Sequence, residues 1–211
     1  MTLFTRLQLA SRQLENLSHA MKTNRNGQSK VLTTAELDLL IEELPGGVHT
    51  VLANVCRRTG CRISEARQLK WENIFPTGIT FPKTVCKGKL ESRTIPIFPN
   101  LYDVLMEWKN LKTIEKGEEP SPGSYVFVGR FGDKPITRQA HGKVLKTTIE
   151  RLGLKGVSSH SYRRSALSSA SSKGLPLKAI QTLSGHKSVA VLSRYLEVSE
   201  LERQNVAQAF A

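Results

Sequence analysis

The chain has 211 residues and carries 31 Lys+Arg against 18 Asp+Glu, a formal net charge of +13 at pH 7. No apolar run approaches the roughly 20 residues of a membrane span, and the N-terminus lacks the apolar core and small-residue cleavage site of a secretory signal. Its cysteines, Cys56, Cys61 and Cys86, are odd in number and lack paired metal-ligand spacing, so a disulfide framework is excluded and reduced thiols in a cytoplasmic protein are expected. The basic excess suits a polyanion, because each phosphate neutralised releases counterions and adds sequence-independent affinity.

In chain order, Leu3, Leu7, Ala10, Leu14, Leu17 and Met21 recur at spacings of three and four, which predicts one face of an N-terminal helix. Residues 22–30 read as a polar linker, so residues 1–30 are taken as helix plus linker and residues 31–211 as the main domain. Thr33 with Glu36 forms a capping box ahead of an amphipathic helix that stops at Pro45. A second helix covers Val48 to Arg58 and ends at Gly60. Arg62 then sits in the turn before a short helix begun at about Ser64. A helix entrance exposes backbone N–H groups, so an arginine there faces an anion site or simply pairs with Glu65.

Residues 73–98 alternate apolar and polar side chains and are broken at PTG and KGK, which predicts a small three-stranded antiparallel sheet. Lys87, Gly88 and Lys89 fall in its second turn, where a lysine either solubilises the hairpin or projects an ammonium from a rigid support. A helix from Asn100 to Lys112, capped by Asn100, follows, then a polar loop and a short buried strand at residues 125–128. Thr137 caps a helix that ends at Gly153. Arg138, Gln139, Lys143 and Lys146 dot its first turns as DNA-binding candidates, since Arg and Gln are residue types that read base edges, though they are equally ordinary on any wet helix.

The C-terminal third holds the chemistry. His160 and Arg163 are one helical turn apart behind the Ser158/Ser159 cap, on a helix that stops at Gly174, and Pro176 opens the next as its first residue. His186 follows Gly185 in a turn. Residues 188–198 form a short helix presenting Tyr195, and Ser199 with Glu202 caps a last helix. No Gly-x-Ser-x-Gly elbow is present, and the two histidines have no third metal ligand at a recognisable spacing. The set makes joint sense on a phosphodiester: guanidiniums clamp its non-bridging oxygens, a tyrosine hydroxyl attacks, and histidine or lysine moves protons.

The turn TGCRISEARQLKW, the Lys87 hairpin, HSYRR, LSGHKS and Tyr195 resemble, in order and spacing, the catalytic domain of the tyrosine recombinases of the phage integrase family. The resemblance covers about Thr33 to Glu197. It implies a mainly α fold with a small three-stranded antiparallel sheet, and a site-specific DNA recombinase working through a 3′-phosphotyrosyl intermediate. Tyr195 would be the nucleophile, Arg62 and Arg163 would grip the scissile phosphate, and His186 would hydrogen-bond it. His160 would accept and return the tyrosine proton, and Lys87, with Lys89 as alternate, would protonate the leaving oxygen. No cofactor or metal is implied.

The implied partners are double-stranded DNA with paired recombination sites, further copies of the chain in a DNA-bound tetramer, and an accessory DNA-bending or directionality protein. A cytoplasmic, nucleoid-associated location follows from these. Three positions depart from the family's usual pattern: Tyr162 stands where Leu is common, Arg164 where His is common, and Ser184 separates Leu183 from Gly185. Residues 1–32 are too few for the family's usual core-binding domain, so a short member is expected. A type IB topoisomerase-like nicking-closing enzyme and a non-catalytic DNA-binding factor are the alternatives.

Overall fold

Helix α1 (Thr34–Glu42) begins where the sequence places it. The Thr33 hydroxyl accepts from the Glu36 N–H at 3.2 Å and the Glu36 carboxylate accepts from the Thr33 N–H at 2.9 Å, a reciprocal cap. The structure is a computed structural model that describes residues 27–86, 91–130, 132–198 and 200–210. The helix expected over residues 3–21 lies outside the described residues, as do Lys87, Lys89 and Ser199.

Helix α2 (Gly47–Thr59) is the central rod. Val51, Leu52, Val55 and Cys56 are buried at helical spacing, and the helix packs against α1, against α4 (Pro99–Lys116) and against α6 (Ser159–Ser172). Leu52 is fully enclosed, so Leu52→Ala would cost about 2–5 kcal/mol. The helix ends because Gly60 turns to φ +62°, a left-handed cap that a side chain resists. One turn of helix, α3 (Ile63–Ala66), follows directly.

The expected sheet forms from β1 (Ile74–Phe75), β2 (Gly78–Phe81) and β3 (Arg93–Pro96), antiparallel in the order β1-β2-β3. Ile79 faces Ile95 across the β2–β3 pair, and both are buried against the core. The Lys83 N–H donates to Ser92 Oγ at 3.0 Å, linking the chain after β2 to the chain before β3.

Four local expectations are corrected. Helix α4 is capped by Phe98, not Asn100, because Pro99 fits the first helical position with its fixed φ and missing N–H; the helix then runs on to Lys116. Residues 125–128 contribute only isolated bridges, Lys70 with Tyr125 and Val128 with Pro135, and no strand. Pro176 caps α7 (Leu177–Ser184) rather than opening it. Helix α8 (Val189–Ser193) stops before Tyr195, which lies in the turn beyond it.

Helix α5 (Arg138–Arg151) is capped by Thr137 as expected, its hydroxyl accepting from the Ala140 N–H at 3.0 Å. Most buried apolar side chains from α1 to α6 form one core. Leu167, Ile180 and Leu192 make a second, smaller cluster on which Tyr195 and Leu196 rest. The C-terminal helix α9 (Glu200–Ala209) follows. No helix among the described residues is long and apolar enough to cross a membrane.

Candidate active site

Arg62 is the N-cap of α3, but the helix entrance is not an open anion site. The Arg62 N–H donates to Glu65 Oε2 at 3.0 Å and its guanidinium to Glu65 Oε1 at 2.9 Å. Glu65 is only 1% exposed and is held from the other side by Arg93 of β3, whose Nη2 lies 2.6 Å from Oε2. Burial raises the Glu65 carboxyl, yet the Arg93 hydrogen bond and charge and the Arg62 N–H outweigh it and pull it down to about 2. Two guanidiniums are thus fixed in place by one carboxylate that stays ionised.

Arg163 comes to the same place from α6. It is 1% exposed; Nη1 donates to the Gly60 carbonyl at 2.7 Å and Nη2 to the Ser184 carbonyl at 2.9 Å. Burial lowers its pKa to about 10, with the Arg62 charge adding to the effect, so it remains a cation at neutral pH. Its Nε has no hydrogen-bond partner among the described residues.

His186 sits against it, Nε2 at 3.1 Å from Arg163 Nη2, and Nδ1 at 2.8 Å from Ser184 Oγ. An arginine only donates, so the nearer ring nitrogen accepts and the ring proton goes to Nδ1, facing the serine. Burial, then the charges of Arg163, Arg62 and Arg93, bring the His186 pKa down to about 4. The Gly185 turn that delivers His186 has φ +67°, and a Cβ there would stand 2.9 Å from Arg93 Nη1. Only glycine fits.

The Tyr195 ring is 4.7 Å from the His186 ring and 5.8 Å from the Arg163 guanidinium carbon, measured to ring centroids. His160, exposed in the first turn of α6, shares a cleft with Tyr195, Arg164, Arg194 and residues 27–29. His160 and Arg163 therefore diverge from the common face expected of them. Arg163 turns into the protein toward Gly60 and Ser184, while His160 stays at the surface beside the tyrosine.

The structure brings Arg62, His160, Arg163, His186 and Tyr195 close together, and Lys87 and Lys89 lie outside the described residues. Arg138, Gln139 and Lys146 border a groove that runs from α5 to His160. Lys143 does not join them; it lines a separate hollow with Glu43 and Arg151. Sequence reasoning missed Arg93 and took Glu65 only as a possible partner for Arg62. Glu65 signals only its local pairing with Arg62, because its contact with Arg93 spans from the α3 turn to β3 and only the fold closes it.

Residues 9–202 match the phage integrase family. The tyrosine recombinase XerC of Herpetosiphon aurantiacus is 28% identical over 180 residues, covering 81% of this chain and 56% of that protein. Among solved structures, the catalytic domain of bacteriophage HP1 integrase superposes with a TM-score of 0.60 at 20% identity, covering 80% of this chain and 87% of that one. XerH site-specific recombinase bound to palindromic difH substrate, in a post-cleavage complex, superposes at 0.70 with 21% identity, covering 89% and 55%. These structural likenesses are of fold, a mainly helical domain with a small antiparallel sheet. The chain spans about half the length of the curated relatives it matches.

Proposed function

Starting from a chain that belongs to the phage integrase family, we propose that it is a site-specific DNA recombinase that cleaves and rejoins DNA strands through a tyrosine-linked intermediate. One observation carries this reading. A buried arginine cation, a histidine against it and a tyrosine ring packed on that histidine converge in a strongly basic chain. We read residues 31–211 as the catalytic domain and residues 1–30 as a helix and linker preceding it.

In this mechanism the scissile phosphodiester enters the space faced by Arg62, Arg163 and His186. The guanidiniums neutralise its non-bridging oxygens, and the charge that builds on the equatorial oxygens is met by donors already in place. The Tyr195 hydroxyl attacks phosphorus, forming the phosphotyrosyl bond and breaking the bond to the 5′ oxygen. His160 takes the tyrosine proton and returns it on rejoining, while Lys87, or Lys89, protonates the leaving 5′ oxygen. His186 is neutral at pH 7, and an anionic phosphate against it would shift its ring proton to the nitrogen that now faces Arg163. The linkage keeps the bond energy, so no metal or nucleotide enters the scheme.

The groove at Arg138, Gln139 and Lys146 follows the duplex away from the cleavage point. Paired sites, a tetramer on DNA, an accessory bending or directionality protein and a nucleoid-associated location in the cytoplasm complete the reading. A relative solved on its own DNA substrate supports the duplex as partner.

The test is to express the chain and its Tyr195→Phe variant in cells and sequence protein-linked DNA recovered under denaturing conditions. Tyrosine-dependent adducts at a few paired sites are expected. Scattered adducts would favour a topoisomerase-like nicking-closing enzyme, and DNA-bound protein with no adduct above the Phe variant would leave a binding factor.

A further inference from the structure

His160, Arg164 and Ser168 occupy successive i, i+4 positions of α6 and so lie along one line of the helix surface. Two distant stretches of chain are fastened to this part of the helix. One is residues 195–197: Arg164 Nε donates to the Tyr195 carbonyl at 3.2 Å, and the Glu197 N–H donates to Ser168 Oγ at 3.2 Å. The other is residues 29–32. Arg164 Nη1 donates to the Ser29 carbonyl, Ser29 Oγ lies 2.6 Å from Ser158 Oγ, and the Leu32 N–H donates to Ser165 Oγ at 2.8 Å. The Lys30 N–H adds a bond to the Gly156 carbonyl at 2.8 Å.

Arg164 is the residue that bonds both stretches. Its fork reaches two carbonyls in different directions with donors of fixed geometry, which an ammonium on a flexible stem does not reproduce. The cleft beside the tyrosine is lined by the same parts: Gly27, Gln28 and Ser29 from one stretch, Arg194 and Tyr195 from the other, His160 and Arg164 from the helix. Tyr195 itself lies beyond the end of α8, so helical hydrogen bonding does not fix its direction.

We infer that Arg164 is a positioning residue for the Tyr195 hydroxyl: by clasping the Tyr195 and Ser29 carbonyls it makes one unit of the chain ahead of α1 and the chain that carries the tyrosine. The inference rests on the reading of Tyr195 as nucleophile. It makes the order of residues 27–32 a determinant of the tyrosine's aim, so a pull on the preceding segment loosens the nucleophile without touching the phosphate grip of Arg163, one residue away on α6.

The experiment compares the full chain with its Arg164→Lys and Arg164→Gln variants in two measurements. Hydrogen–deuterium exchange is read on the protein alone. Single-turnover adduct formation and non-covalent affinity are read on a suicide duplex carrying the site recovered by the Tyr195 trap. In both variants the amides of residues 29–32 and 195–198 should exchange together about 10-fold faster, with α2 unchanged. Adduct formation should slow by about 10- to 100-fold at unchanged affinity, since a misplacement of about 1 Å has that effect. Failure of lysine to rescue separates the fork from mere charge. Loosening of residues 29–32 alone, or a wild-type adduct rate in a variant whose two stretches have loosened, overturns the inference. A wild-type chain that forms no adduct overturns the reading of Tyr195 instead, and coupled exchange then decides whether the clasp exists.

Discussion

Single buried polar side chains set how this protein responds to acid. His141 is fully enclosed between α2 and α6, Nδ1 3.3 Å from His49 Nδ1, its Nε2 without a partner among the described residues. Burial and then the His49 charge lower its pKa to about 4. The folded ring therefore stays neutral down to about pH 4, while the unfolded chain takes up a proton near the ordinary value of about 6.5. The unfolded state binds more protons in that window, so stability falls as pH falls through it. His186 adds to the same window, and Glu65, held at about 2, contributes stability lost only at more acid pH. In urea titrations from pH 7 to 4, His141→Leu should flatten the fall by about 1.4 kcal/mol per pH unit. An unchanged slope would place the buried proton elsewhere. None of this was legible in the sequence, where His141 reads as one more polar residue in the first turns of a wet helix.

Elements, by contrast, were largely legible, because their signals are local. The Thr33/Glu36 box, the Thr137 cap and the Gly60 stop each act within a few residues, and the structure shows all three. The misreadings have local causes too: Pro99 moves the cap of α4 to Phe98, and residues 125–128 find no continuous neighbour to pair with. What the sequence hides is why two elements meet. Gly185 reads in the sequence as a turn residue, yet its lack of a side chain is what admits Arg93 from β3. Gly174 provides a control, with φ +74° and open space around it. Gly174→Ala should cost about 1 kcal/mol in a urea titration, the backbone strain alone. Gly185→Ala should cost that and more, and should displace Arg93 from Glu65, visible as faster amide exchange at β3 and α3. Equal costs at the two glycines would show that Arg93 yields freely.

At the scale of the molecule, charge and motif order point to the polyanion of the proposed function, and motif spacing picks out five residues that the structure brings together. Assembly is where sequence reading stops. Helix α9 leaves Val206 exposed and Phe210 beyond its end is exposed too, and α1, α2, α6 and α7 border an apolar hollow with Phe98, Leu175 and Leu183 around it. The proposed tetramer would use α9 of one copy on a neighbour. A chain ending at Val198 should then bind DNA as a monomer and fail to form the higher complex in sedimentation on a duplex; intact assembly would show that α9 caps its own domain.

The way Arg163 is held has a consequence for what the site offers an incoming anion. Gly60, whose carbonyl it grips, is the C-cap of α2, and Ser184, whose carbonyl it also grips, is the last residue of α7. The negative ends of two helix macrodipoles, each about half an elementary charge, thus converge on a cation in a place where water cannot stabilise it. Dipoles stabilise without cancelling: no counterion must be displaced before a phosphate docks. Arg62 and Arg93 share one carboxylate, whereas the two backbone carbonyls leave the formal charge of Arg163 intact for the phosphate that the proposed mechanism places beside it.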